Sequence, residues 1–171
     1  MPDAIFEHPR LAQVDDPLDP DRSDLDAYVA LVDELGARSV LDVGCGTGTL
    51  ACTLAERGVD VAAVDPAQAS LDVARTKRGA GQVRWIHGDA TGLPAMQVDA
   101  AVMTGNVAQV FVTDEAWRAT LSGIRAALRP GGWLLFESRV PARRAWERWI
   151  PERTTQWSIS TAWVVSSRGM S

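Results

Sequence analysis

Val40-Leu41-Asp42-Val43-Gly44-Cys45-Gly46-Thr47-Gly48 is the stretch on which the reading of the fold turns. An apolar run carrying one acid leads into three glycines at alternate positions, and Thr47–Arg57 behind them reads as a helix. Glycine adopts backbone conformations that other residues avoid and lets a ligand lie against bare main chain. The amides that open a helix favour a negative group. Spacing narrows the choice of ligand. A dinucleotide fingerprint, Gly-x-Gly-x-x-Gly, would put its third glycine at position 49, which is Thr. This chain has Gly-x-Gly-x-Gly with Asp42 ahead of it. A tight strand-to-helix turn without any ligand is the competing reading of the loop alone.

Outward from the loop, strands and helices alternate. Ser39–Val43 and Val59–Val64 are short apolar runs, and Ala67–Lys77 is helical. Gln82–Ile86 and Val98–Met103 are strand-like. Asp114–Leu128 carries Trp117, Leu121, Ile124 and Leu128 on one helical face. Arg129-Pro130-Gly131-Gly132 then breaks the pattern, and Trp133–Phe136 makes a fifth strand. Upstream, Leu25, Tyr28, Val29, Val32 and Leu35 recur at helical spacing, with Gly36 as the stop and Ser23 with Asp26 resembling a capping box. Residues 1–22 are rich in Pro and Asp, which predicts an extended arm. The alternation predicts an α/β domain: a doubly wound, mainly parallel sheet of five core strands with helices on both faces. It is organised as arm 1–22, core 23–140, and a C-terminal helix and edge strand over 141–171 in the same domain.

Two more acids stand at strand ends. Asp65 closes the second strand 21 positions after Gly44, the offset at which a carboxylate accepts hydrogen bonds from the ribose hydroxyls of an adenosine. Gly88-Asp89-Ala90 follows the third strand, where a carboxylate can take the adenine amino group and the next amide can donate to the ring. The alternative for Asp89 is a turn residue ahead of Thr91-Gly92. Met103-Thr104-Gly105-Asn106 ends the fourth strand, beside the expected topological switch point.

Composition excludes several classes. With 171 residues, 46% hydrophobic and 23% charged, the chain has the make-up of one soluble globular domain. Its net charge of −5 disfavours nucleic acid as a partner. The basic run Arg139, Arg143, Arg144 and Arg148 reads as a solvated helix face. No apolar stretch is long enough to span a bilayer and residues 1–10 carry no signal-peptide core, so a cytoplasmic location is expected. Cys45 and Cys52 are too few and too close for a disulfide framework or a zinc site, and no metal is expected.

Taken in order, VLDVGCGTG (40–48), VAAVDPAQASLDVAR (61–75), GDATGLP (88–94), DAAVMTGNVAQVF (99–111) and LRPGGWLLFESR (128–139) resemble class I S-adenosylmethionine-dependent methyltransferases of the small bacterial "methyltransferase domain" kind. The resemblance covers residues 24–150 and implies a Rossmann-like fold, S-adenosylmethionine as cofactor and methyl transfer to an acceptor the sequence does not identify; the acidic surface and the lack of a nucleic-acid module favour a small molecule, with a protein side chain as the alternative. It also implies roles. Asp42 with Gly44, Cys45 and Gly46 would hold the methionine part, Asp65 the ribose, and Asp89 with Ala90 the adenine. Pro66 would pack against adenine or ribose, and Met103 and Thr104 would lie beneath the sulfonium side. Asn106 and Gln109 are candidates for orienting the substrate. Transfer from a sulfonium is an in-line displacement that needs alignment more than a base. No catalytic residue is therefore assigned, and His87 reads as a hydrogen-bonded structural residue.

The chain departs from this family in two places. Relatives place a Tyr-Asp pair in the N-terminal arm, where this chain has Val14-Asp15. After Phe136 the sequence is short of the family's further helix and two strands. Trp157, Ile159, Thr161, Trp163 and Val165 alternate as one edge strand would. A shortened sheet would leave the fifth strand's neighbour position incompletely covered, and a homodimer through the C-terminal sheet edge is expected from that. Two rival functions stand beside the main one: a cofactor-binding domain without transferase activity, and an NAD-dependent oxidoreductase, which Thr49 disfavours.

Overall fold

The computed structural model describes residues 4–139 and 162–166. Five parallel strands, β1 (Ser39–Val43), β2 (Asp60–Asp65), β3 (Val83–His87), β4 (Val98–Met103) and β5 (Leu128–Ser138), form one sheet with β6 (Ala162–Ser166). The order is β3-β2-β1-β4-β5-β6, and only β6 runs antiparallel. The chain thus reverses direction across the sheet between β1 and β4, which puts the topological switch point there. Helices α4 (Thr49–Glu56), α5 (Gln68–Ala74) and α6 (Asp114–Ala127) occupy the crossovers, and α3 (Asp26–Glu34) precedes β1.

The expected strands and helices are present, with ends shifted by a few residues. Helix α6 passes directly into β5, because Leu128 is already extended, and the strand runs through Arg129–Gly132 with an irregular register opposite Val98 and Ala100. The glycines expected to break the chain instead bend the strand. Ser23 does not cap α3. It donates to the Asp21 carboxylate, and a short 3-10 turn, Ser23–Leu25, leads into the helix.

Residues near the N-terminus are not an extended arm. They form α1 (Ala4–Glu7) and α2 (Pro9–Leu18). Pro9 sits in the first turn, where a missing N–H costs nothing, and the His8 ring accepts the Arg10 N–H to cap the helix. Pro17 stands inside the last turn, where it removes one helical hydrogen bond, and the helix ends one residue later. The helix forms despite this, and packing of Ala12 against the body supplies what local propensity does not.

Strand side chains alternate between two cores. On one face Val40, Val61, Ala63, Val102 and Leu135 pack against Tyr28, Val29 and Val32 of α3 and Leu50 and Leu54 of α4. On the other, Leu41, Val43, Ala62, Val64, Ala101 and Met103 pack against Ile124 and Ala127 of α6. The same alternation puts Asp42, Asp65 and Glu137 on the α3 and α4 face, in step with Val40, Ala63 and Leu135. Strand β6 pairs with Leu134–Ser138, so the second half of the fifth strand has a neighbour on this side. The helix expected within 141–171, with Arg143, Arg144 and Arg148, lies outside the described residues.

Helix α6 approaches the loop after β3 so closely that a β-carbon at Gly123 would collide with the Ala90 carbonyl. Replacing a helical glycine with alanine ordinarily stabilises by about 0.5–1 kcal/mol. Here Gly123→Ala is expected to destabilise by about 1–3 kcal/mol, the usual cost of overpacking. A lower urea midpoint with an unchanged slope would be the signature.

Candidate functional site at the carboxyl edge of the sheet

The turn after β1 is built from main chain. Gly44, Gly46 and Gly48 all have positive φ. The Gly44 and Cys45 amides donate to the Val64 carbonyl at 2.8 and 3.2 Å, and the Gly48 amide donates to the Cys45 carbonyl at 2.8 Å. A side chain at Gly44 would run into Val107, and one at Gly48 into Trp85. At Gly46 nothing lies within 4 Å of a β-carbon position, so the turn is open to one side.

Asp65 holds the turn in place. Its Oδ2 accepts the Gly46 amide at 2.8 Å and its Oδ1 accepts the Ala67 amide at 2.8 Å. Burial raises its pKa, and these two amides work against the rise. A carboxylate has about four acceptor positions, so capacity remains for a ligand's hydroxyls.

Asp42 is 1% exposed, and its Oδ1 has no hydrogen-bond partner. Burial first, then the negative charge of Asp65, pushes its pKa up to about 7, with Arg22 pulling the other way. An unsatisfied buried carboxylate oxygen is costly and marks a place where a partner is missing. The Cys45 thiol is likewise pushed well up by burial and by the charges of Asp42 and Asp65, so it stays neutral.

The remaining expected residues divide. Asp89 is exposed, and its carboxylate accepts the Thr91 amide at 2.8 Å and the Thr91 hydroxyl, forming the turn that was its alternative reading. The same bonds lower its pKa. Ala90 is buried with the α6-side core, while Pro66 is exposed and its carbonyl accepts from His87 Nε2 at 3.0 Å, a structural bond of the kind expected of His87. Met103 and Thr104 are buried at the end of β4. Asn106 is the non-glycine residue with positive φ, at 65°, among the described residues. Its amide donates to Glu137 Oε1 at 3.0 Å and its Oδ1 accepts from Arg139 Nε at 3.1 Å. Gln109 is exposed on the turn that follows. Asp42, Asp65 and the glycine turn are thus brought together, whereas Asp89 is engaged in its own loop.

Sequence reasoning missed the way α2 is attached. Asp16 Oδ1 accepts the Thr47 hydroxyl at 2.7 Å, and Lys77 Nζ donates to Asp16 at 2.8 Å, to Thr49 Oγ1 at 2.7 Å and to Thr47 Oγ1 at 3.2 Å. One ion pair therefore joins the N-terminal helix, the glycine turn and the residues just after α5. Nothing in a Pro- and Asp-rich segment indicates that Asp16 will meet a lysine 61 positions away. Glu137 was also missed, since a lone acid in a strand carries no pattern.

Comparison with known proteins agrees with this architecture. The pattern described as "Methyltransferase domain" matches residues 40–132, and the chain belongs to that family. It is 37% identical over 117 residues to the cypemycin N-terminal methyltransferase of a Streptomyces species, covering 68% of this chain and 48% of that protein. An uncharacterised methyltransferase of Mycobacterium bovis is 40% identical over 112 residues, covering 63% of this chain and 55% of the other. Among solved structures, SAM-bound CalS10, an amino pentose methyltransferase of Micromonospora echinaspora involved in calicheamicin biosynthesis, superposes with a TM-score of 0.61 at 30% identity. That match covers 75% of this chain and 52% of CalS10. The chain spans about half the length of the curated relatives it matches. No helix among the described residues is long and apolar enough to cross a membrane.

Lys77→Met would leave Asp16 to the threonine hydroxyls alone. Both partners are partly solvated, so the expected loss of global stability is no more than about 1 kcal/mol. The local effect is larger: limited proteolysis within residues 4–18 is expected to speed up several-fold relative to wild type. Equal cleavage rates would mean that α2 is held by other contacts.

Proposed function

We propose that this chain is the S-adenosylmethionine-binding part of a methyltransferase, and that its acceptor is a small molecule. The observation that carries the proposal is the buried Asp42 oxygen without a donor, next to a turn of bare main chain. The residues fit the cofactor. Its methionine part brings an ammonium group of the kind Asp42 lacks, Asp65 keeps acceptor capacity for ribose hydroxyls, and the space over Gly46 is open. Under this reading Asp42, Gly44, Cys45 and Gly46 bind the methionine part, Asp65 with Pro66 the ribose side, and Asp89 with Ala90 the adenine. Met103 and Thr104 form the floor beneath the sulfonium, and Asn106 and Gln109 orient the acceptor.

When bound, the cofactor supplies an electrophilic methyl group on a sulfonium. The chain's own work is then to hold the donor, align an acceptor with it and exclude water, which can account for much of the barrier reduction. Arg22 and Arg139 are the arginines that bear on Asp42 and Asn106. The acidic balance of the chain and the relatives that act on a peptide terminus and on an amino pentose support a small or peptide-like acceptor over nucleic acid. The same reading places the chain in the cytoplasm. Self-association through the sheet edge at β6 belongs to it as well, and a monomer in sedimentation at high concentration would end that part.

Calorimetry with S-adenosylmethionine tests the site directly. Asp65→Ala is expected to weaken binding by about 1.5–3 kcal/mol, the range for hydrogen bonds to a charged group. With Asp42 titrating near 7, affinity is expected to rise about tenfold from pH 6 to pH 8, and Asp42→Asn should abolish that slope. Folded Asp42 holds a proton between about pH 4 and 7 that the unfolded chain has released, so its burial lowers stability progressively across that window. Asp42→Asn should therefore raise the melting temperature of the ligand-free protein at pH 8 and leave it nearly unchanged at pH 4. Full affinity in both variants would remove these carboxylates from the cofactor site.

A further inference from the structure

Glu137 has a definite place that the cofactor reading does not use. It lies on β5 immediately after Phe136, which is in register with Met103, so it stands beside Thr104 at the carboxyl end of β4. Strand alternation puts it on the α3 face with Leu135, the face that also carries Asp42 and Asp65. The Asn106 amide fixes its carboxylate, donating to Oε1 at 3.0 Å, and the Tyr28 hydroxyl on α3 stands near enough that its pKa is raised by burial and then by the Glu137 charge. Asn106 holds a left-handed backbone conformation to make its bond, which asparagine adopts more readily than other residues with a β-carbon. The turn is further fixed by Val107 packed over Gly44 and by Arg139 on the Asn106 side chain. A half-buried carboxylate is thus positioned at the switch point, next to the strand end read as the floor beneath the sulfonium.

We infer that Glu137 is the acceptor-side recognition group of this site, and that the acceptor presents an amine, which donates a hydrogen bond to the Glu137 carboxylate. The charge set favours it. Asp42, Asp65 and Glu137 share one face and one end of the sheet, and among the described residues Arg22, paired with Asp24, and Arg139, bonded to the Asn106 side chain, are the arginines that reach it, so carboxylates outnumber cations there. An amine gains from such a field, whereas an acidic or phosphorylated acceptor would be repelled. The Asn106 amide takes one acceptor position of the Glu137 carboxylate and leaves others for the incoming N–H. The Asn106 main-chain amide is a positioning group that orients the carboxylate, distinct from the Asn106 side chain read above as orienting the acceptor.

This inference rests on the cofactor reading, so its test uses two cofactor-shaped probes and reads binding instead of turnover. S-adenosylhomocysteine lacks anything at the methyl position, while sinefungin carries a primary amine there. By calorimetry at pH 7, sinefungin is expected to bind the wild type at least tenfold more tightly than S-adenosylhomocysteine. Glu137→Gln keeps an oxygen for the Asn106 amide and should bring that ratio to within about twofold of one, with S-adenosylhomocysteine affinity and melting temperature little changed. A wild-type ratio near one, or a ratio that survives in Glu137→Gln, overturns the inference and leaves the cofactor reading intact. Failure of both probes to bind the wild type overturns the cofactor reading itself, and this inference with it. Where Glu137→Gln folds poorly, the wild-type ratio decides.

Discussion

The site depends on one hydrogen-bonded arrangement: a carboxylate at the end of β2 accepting an amide from the turn that follows β1. Asp65 reaches Gly46 with one oxygen and the start of the next helix with the other. Two crossovers of the sheet are thereby locked to each other at the place where both strands stop. The glycine turn could not keep its shape alone, since three residues at positive φ lose more conformational freedom on folding than any other type. What holds it is a neighbour's side chain, the Val64 carbonyl and the packing of Val107 and Trp85 where β-carbons are missing.

That end of the sheet also concentrates the unfavourable terms of the structure. Asp42 is buried without a partner for one oxygen, and Asp65 is buried against its ionisation. The opposite end shows how the chain treats a carboxylate that serves only structure. Asp99 accepts the Arg38 and Ser39 amides and the Ser39 hydroxyl at 2.9 Å each, and pairs with Arg129. Those bonds lower its pKa, where burial raises that of Asp42. The contrast between a satisfied acid at one end and an unsatisfied one at the other is what separates scaffold from site.

Much of this was legible before the fold was known. Strands read as apolar runs because a parallel sheet covered on both faces buries each residue, and helix α6 read cleanly because its apolar residues fall on one face. Asp42, Asp65 and the glycines were found because they obey spacing within one strand–turn–helix unit. The N-terminal segment departs from the extended arm expected of its prolines because Pro9 stands in the first turn, where a helix tolerates it, and packing outweighs the bond lost at Pro17. Chain length does not say which residues return to flank the fifth strand, and β6 does so opposite Leu134–Ser138.

Local pattern by itself determined the order of elements, the glycine turn and the acids at the strand ends, since each follows from side-chain period and backbone freedom over a few residues. Only the tertiary structure decided which of those acids meet. Asp65 and the glycine turn converge because β1 and β2 are adjacent, Asp89 turns back on its own loop, and Asp16 finds Lys77 across the surface. Glu137 joins the site for the same reason: β5 lies beside β4 in register, and register is a property of paired strands that a single strand's sequence does not carry.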